Sequence, residues 1–202
     1  MPFGYQGKIL RVDLTAGRIS IETPDDLFYR TYVGGPGIGL YYLLKEMQPG
    51  ADPLGPENIL TFAAGVLTGT PTPAGCRFSV TARSPLTGAV GKSEAGGWWG
   101  AELKRAGWDA VVVQGRAAEP VYVWIENDRA EIRPAGHLWG KTTGEAQALI
   151  RQELWRSILI GLLIWGGGLF LGLFVYSLEG LPGFFRLATG HLERLELDSG
   201  GV

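Results

Sequence analysis

The sequence predicts an α+β domain followed by one apolar helix, and three observations support that prediction. Short runs of alternating apolar and polar residues recur through the first three quarters of the chain, interleaved with brief helical stretches. Glycine is abundant, at 32 of 202 residues, against a usual share of about 7%. These glycines follow no collagen period, so they mark turns and places where backbone approaches backbone or ligand closely. At Trp155 the composition shifts abruptly into an apolar run without charge.

The elements follow in order. Residues 8–13 and 18–23 alternate around Thr15-Ala16-Gly17, which is a hairpin signal. Residues 25–33 and 38–47 have helical spacing, the second with Leu40, Leu43, Leu44 and Met47 on one face. Between them stands Gly34-Gly35-Pro36-Gly37, expected to belong to neither helix. Residues 59–64 and 77–82 are strand candidates, and residues 87–100 form a glycine-rich passage. Residues 98–106 suit a helix ended by Gly107. Strands are expected at 110–114, 121–126 and 130–133, the last two joined through Asn127-Asp128. Thr142-x-x-Glu145 is a capping box for a helix reaching about Leu154.

Charge and cysteine usage exclude several functions. A formal net charge of −2 gives no bulk attraction to nucleic acid. Cys76 is the one cysteine, so no internal disulfide forms and a reducing compartment is the default. With His137 and His191 far apart, the chain builds neither an all-protein zinc site nor an iron–sulfur site. The start, Met1-Pro2-Phe3-Gly4-Tyr5, lacks the basic and apolar parts of a secretory leader, so a cytoplasmic domain is expected.

Two glycine motifs fail as nucleotide loops. Gly91-Lys92-Ser93 resembles the end of a phosphate-binding loop, but Leu86 stands where its first glycine belongs. Residues 34–39 have the wrong spacing for a dinucleotide fingerprint, and Pro36 removes an amide. Residues 63–77 are more informative. There an apolar strand enters a loop of small residues that ends on Arg77, a forked cation suited to phosphate. Ser84-Pro85-Leu86-Thr87-Gly88 and Glu94-Ala95-Gly96-Gly97-Trp98-Trp99-Gly100 form a second glycine-rich region, opening a helix whose amino end suits an anion. Together these predict a site for a bulky, planar, phosphorylated cofactor. Trp98 and Trp99 are expected to anchor the loop or core, and Cys76 to be a small buried filler.

Several words then agree in order and spacing with one family. Pro56-Glu57-Asn58, Ala64-Gly65-x-Leu67-Thr68-Gly69-Thr70, Ser84-Pro85-Leu86-Thr87-Gly88 and Gly96-Gly97-x-x-Gly100-Ala101-Glu102-Leu103-Lys104 resemble the tungsten-containing aldehyde:ferredoxin oxidoreductases. Ala106-Gly107-x-Asp109-Ala110 and Trp139-Gly140-Lys141 extend the resemblance to about residues 4–154. It implies a β-rich N-terminal cofactor-binding domain, here partial, sharing in a tungstopterin (bis-molybdopterin with tungsten) and magnesium. It also implies oxidation of aldehydes to carboxylic acids, with electrons passing through an iron–sulfur cluster to ferredoxin. Arg77 matches the family's pterin-binding arginine and Gly96 a loop glycine at the pterin. Glu94 falls where an asparagine offers its backbone carbonyl to magnesium. The family's Cys-x-x-Cys-x-x-x-Cys motif has no counterpart here, so this chain alone is expected to be inactive. The rival expectation is a membrane-anchored binding module that reuses the fold without catalysis.

The expected division is therefore a pterin-binding domain at 1–154, an apolar helix at 155–178 and a short tail at 179–202. Residues 158–176 hold no charge, and as a helix they span roughly 28 Å, close to a bilayer's hydrocarbon core. A membrane-lipid partner through 158–176 is expected, with a homodimer face at Gly168 and Gly172.

Overall fold

Two β-strands, Ile9–Asp13 (β1) and Arg18–Glu22 (β2), open the computed structural model, which describes residues 4–153. They form the expected hairpin, paired antiparallel from Ile9↔Glu22 to Asp13↔Arg18. Asp13 accepts the Ala16 N–H at 2.9 Å, and Gly17 takes a left-handed φ of 59° to close the turn. Helix Asp26–Tyr32 (α1) is capped by Asp25, whose carboxylate accepts the Phe28 N–H at 2.8 Å.

Helix Pro36–Glu46 (α2) begins earlier than the sequence suggests. Proline is tolerated in the first helical turn, where its missing N–H has no intrahelical partner to lose. Gly37 and Gly39 lie inside the helix because α2 packs too closely for side chains. A Cβ on Gly37 would stand 2.1 Å from the Tyr32 carbonyl oxygen, and one on Gly39 2.5 Å from the Thr81 Cβ.

Leu60–Ala64 (β3), Phe78–Arg83 (β4), Val90–Ala95 (β5) and Ala110–Gln114 (β6) join the hairpin in a six-stranded sheet. Its order is β2-β1-β6-β3-β4-β5, with β1 parallel to β6 and every other neighbour antiparallel. Strand β5 was not expected: it holds Gly91, Lys92, Ser93 and Glu94, none a strong strand former, and pairing with β4 holds it extended. Helix Trp99–Arg105 (α3) ends as predicted at Gly107, whose φ is 91°. Val121–Glu126 (β7) and Arg129–Pro134 (β8) form a separate two-stranded sheet. Trp108 fixes their turn by donating Nε1–H to the Asn127 carbonyl at 2.9 Å.

The central strands are buried on both faces, so their side chains divide by alternation. Ile9, Ala63, Ala110 and Val112 meet Tyr29, Ile38, Tyr42 and Leu43 from α1 and α2. Leu10, Val12, Phe62, Val111 and Val113 turn the other way, toward Leu103 of α3 and toward Val123, Ile125 and Ile132 of the hairpin.

An ion pair is buried among these layers. Lys104 and Asp109 stand 2.6 Å apart with side chains 4% and 1% exposed. Asp109 also accepts the backbone N–H of Gln6 at 3.0 Å and of Gly7 at 2.7 Å, while Lys104 donates to the Gly4 carbonyl.

Met1–Trp139 and Gly140–Val202 are separate units of the chain. In the second, residues 143–153 are helical, and the capping box forms as predicted. Glu145 accepts the Thr142 N–H at 2.9 Å, and Thr142 Oγ1 accepts the Glu145 N–H at 3.4 Å. The expected apolar helix at 155–178 and the tail at 179–202 lie outside the described residues, as do the membrane and homodimer expectations placed on them. Among the described residues, no helix is long and apolar enough to cross a membrane.

Two stability outcomes follow. Glycine-to-alanine inside a helix ordinarily gains up to about 1 kcal/mol, but Gly39→Ala meets Thr81 and should lose about 1–3 kcal/mol in urea unfolding. Lys104→Met leaves Asp109 buried without its cation and should lose about 3–5 kcal/mol by the same measurement.

Candidate functional site

The loop of residues 65–77 leaves β3 and returns into β4, and its neck is closed by one hydroxyl. Thr68 Oγ1 donates to the Arg77 carbonyl at 2.5 Å and accepts the Gly65 N–H at 3.1 Å. Two glycines in the loop serve its own packing. A Cβ on Gly75 would lie 2.9 Å from the Leu67 carbonyl oxygen, and one on Gly69 would lie 3.2 Å from the Lys104 Cβ. Gly96 and Gly97 differ. A Cβ on Gly96 meets only Cys76 Sγ at 3.8 Å, and one on Gly97 meets nothing within 4 Å. These two glycines face open space.

Gly97 borders a cleft of about 390 Å³ between the loop and α3, lined also by Thr70, Ala74, Cys76, Trp98 and Arg105, among others. Cys76 is exposed there, which corrects the expectation of a buried filler. Trp98 is likewise exposed on the cleft, so it anchors no core. Trp99 does pack as expected, its ring 4.5 Å from that of Phe78 and 5.6 Å from that of Phe62. Helix α3 has only seven residues, too short for a strong axial dipole, so an anion here would depend on side-chain charge.

Arg77, Glu94 and Gly96 come together at one end of the β4–β5 ribbon. Phe78 pairs with Ala95 and Ser79 with Glu94, so Arg77 and Gly96 flank the last pair. Arg77 NH1 stands 3.9 Å from Glu94 Oε2, and Lys92 Nζ stands 2.7 Å from Glu94 Oε1. The Lys92 contact and charge, then the Arg77 charge, hold the Glu94 carboxyl below its ordinary range.

Strand alternation separates this cluster from the cleft. Ser79, opposite Glu94, faces Gly35 at the start of α2, whereas Phe78 faces Trp99 of α3. The charged cluster therefore belongs to the α2 side of the strand ends and the cleft to the α3 side.

The main chain of Glu94 is also accounted for. Ser84 donates its N–H to the Ala89 carbonyl at 2.8 Å, which marks a hydrogen-bonded pair at that end of the ribbon. Alternation then makes Phe78↔Ala95 a bonded pair and Ser79↔Glu94 a non-bonded one. The Glu94 carbonyl consequently points away from β4, and β5 is the sheet's edge strand.

Other predicted motifs are structural. Ser84-Pro85-Leu86-Thr87-Gly88 makes the β4–β5 turn, six strand residues from Arg77 and so roughly 20 Å away along the ribbon. It does not join the glycine cradle. Asn58 holds that end instead, donating to the Pro53 carbonyl at 2.7 Å and the Arg83 carbonyl at 3.0 Å. Gly91-Lys92-Ser93 lies on β5 rather than at the start of a helix, which removes any phosphate-loop geometry. A second recess, of about 310 Å³, includes Arg11, whose guanidinium is already engaged by Glu46 at 2.6 and 2.8 Å. Among the described residues no group of three or more His, Cys, Asp or Glu could hold a metal ion.

The family described as "Aldehyde ferredoxin oxidoreductase, N-terminal domain" matches residues 9–162. A tungsten-containing aldehyde ferredoxin oxidoreductase of Pyrococcus horikoshii is 49% identical over 152 residues, covering 75% of this chain and 25% of the relative. The WOR-like subunit of an aliphatic sulfonate oxidoreductase from Pyrococcus furiosus is 38% identical, covering 77% of this chain and 25% of the relative. A solved structure, the active site complex BamBC of benzoyl coenzyme A reductase with 1,5-dienoyl-CoA, superimposes with a TM-score of 0.74 at 41% identity. It covers 76% of this chain and 24% of that one. The chain thus spans about a quarter of the length of the curated relatives it matches.

Because Gly96 contacts only the Cys76 sulfur, Gly96→Ala should change unfolding stability by less than about 0.5 kcal/mol. Cys76 in the same folded protein should react with a thiol reagent without denaturant.

Proposed function

The chain belongs to the aldehyde ferredoxin oxidoreductase family through its N-terminal domain, and on that premise we propose that residues 1–154 are the cofactor-binding portion of an oxidoreductase that converts aldehydes to carboxylic acids. The observation that carries the reading is the strand end itself, where Arg77, the outward carbonyl of Glu94 and the open glycines Gly96 and Gly97 adjoin a cleft.

A flat, anionic group fits these residues. Side chains at Gly96 and Gly97 would occupy the space that such a group needs, and among the described residues only the Cys76 sulfur comes within 4 Å of it. Arg77 offers a planar pair of donors to a phosphate. Glu94 takes part through its backbone carbonyl toward magnesium, which is why a side-chain change from asparagine is compatible with the role. When bound, a bis-pterin tungsten centre supplies the two-electron oxidation and holds its own metal through sulfur.

Relatives named for an aldehyde, a sulfonate and a coenzyme A thioester share this domain. Substrate choice therefore belongs to other parts of those proteins, and the shared element is a cofactor seat. With Cys76 as its one cysteine, this chain provides no cluster ligands. An iron–sulfur cluster and the route to ferredoxin are assigned to polypeptide beyond it.

The test pairs this chain, in a host that makes tungstopterin, with the three quarters of a Pyrococcus relative that it does not span. Losing a charge-assisted phosphate contact is typically worth about 1.5–3 kcal/mol. Arg77→Ala should accordingly lower tungsten and pterin content about tenfold or more, with an unchanged circular dichroism spectrum. Unchanged metal and pterin content would remove Arg77 from the site.

A further inference from the structure

We propose that Lys92 is a positioning residue for the anion site: by holding the Glu94 carboxylate it keeps the Arg77 charge available to phosphate. This rests on the reading of Arg77 given above.

Lys92 and Glu94 are two residues apart on β5, so their side chains project from the same face. Their register partners are Thr81 and Ser79, which turn toward α2, and Arg77 lies on that side as well. The three groups make a row of two cations around one carboxylate. Within the row the contacts are unequal. Lys92 Nζ is within hydrogen-bond distance of Glu94 at 2.7 Å, whereas Arg77 NH1 stands off at 3.9 Å. Arg77 is 70% exposed, against 44% for Lys92 and 36% for Glu94. The row therefore has net charge +1, concentrated on its most accessible member.

Removing Lys92 changes that balance. Glu94 keeps its charge and loses its nearest cation, and a small rotation of its flexible side chain closes the gap to Arg77. An arginine–carboxylate pair of that kind is bidentate and directional. It would neutralise Arg77 and place a carboxylate where phosphate oxygens should lie. Gly91-Lys92-Ser93 thus contributes its lysine to an anion site after all, through a neighbouring carboxylate rather than through a nucleotide loop.

The experiment titrates inorganic pyrophosphate into the complex described above, prepared without pterin, by calorimetry. The variants are Arg77→Ala, Lys92→Ala and Lys92→Ala with Glu94→Gln. Lys92→Ala should weaken pyrophosphate about fivefold, the upper range for one exposed ion pair, and adding Glu94→Gln should restore binding. Rescue by deleting a second charge is not expected of a residue that merely stabilises β5. If Lys92→Ala weakens binding and Glu94→Gln fails to restore it, Lys92 contacts the anion directly and the positioning role is wrong. If Lys92→Ala binds normally while Arg77→Ala does not, this inference fails and the Arg77 reading stands. If Arg77→Ala also binds normally, the reading beneath both is the one overturned.

Discussion

Lys104 and Asp109 are buried together, and three otherwise separate parts of the chain depend on that contact. Taking two charges out of water costs several kcal/mol for each ion, and the cost is recovered only when further hydrogen bonds satisfy both groups. Here they do. Asp109 collects N–H groups from Gln6 and Gly7, and Lys104 uses a second proton on the Gly4 carbonyl. The same aspartate's main chain donates to the Lys8 carbonyl at 2.9 Å and accepts the Ala64 N–H at 2.9 Å. One residue thereby sets β1, β3 and β6 relative to one another. On its other side the Lys104 stem lies against Gly69, so the loop that borders the cleft is registered on the same helix. Tyr29 completes the enclosure, its phenol held above the ordinary range by burial first and by the Asp109 charge second.

Close packing of helix against sheet accounts for some of the glycines and turn geometry for others. Helix α2 lies close enough to β4 that Gly39 must leave room for Thr81. In the hairpin, Gly17 supplies a left-handed φ. Both serve the fold. Gly97 likewise takes a left-handed φ, of 94°, so the backbone itself favours glycine there, whereas Gly96 has neither a positive φ nor a close contact and is the glycine without a reason in the fold. Composition alone does not make the distinction, because it depends on what a missing side chain would have touched.

Much of the architecture was legible in the sequence. Strands β1, β3, β6, β7 and β8 carry apolar alternation or apolar runs, α1 shows helical spacing, and the helix at 143–153 announces its cap through the Thr142–Glu145 box. What escaped has a common physical cause. Strand β5 lies at an edge and is largely exposed, so burial imposes no period-two pattern on residues 90–95. The start of α2 was hidden because glycine there answers to Tyr32 and Thr81, which are distant or unrelated by local pattern. Arg77, Glu94 and Gly96 were named from family words rather than from local pattern, and the strand register brings the three to one ribbon end. However, the approach of Lys92 to Glu94 required knowing that residues 90–95 are extended, since only then do residues two apart share a face.

The placement of charge and cleft on opposite faces narrows what the strand end accommodates. A lone phosphate would engage Arg77 on the α2 side and leave the cleft unused. A small molecule would enter the cleft beside Trp98, Cys76 and Arg105, the last already paired with Glu102, and leave Arg77 and Lys92 uncontacted. A ligand that uses both must cross the end of β4 and β5, and there the chain presents Gly96 and Gly97, with no side chain to obstruct the passage. On the proposed reading the ligand must therefore reach across the strand end and carry an anionic group for Arg77. The pterin proposed above meets both. On the proposed reading, the domain is conserved in form among oxidoreductases of different substrate because the cofactor, rather than the substrate, spans those two faces.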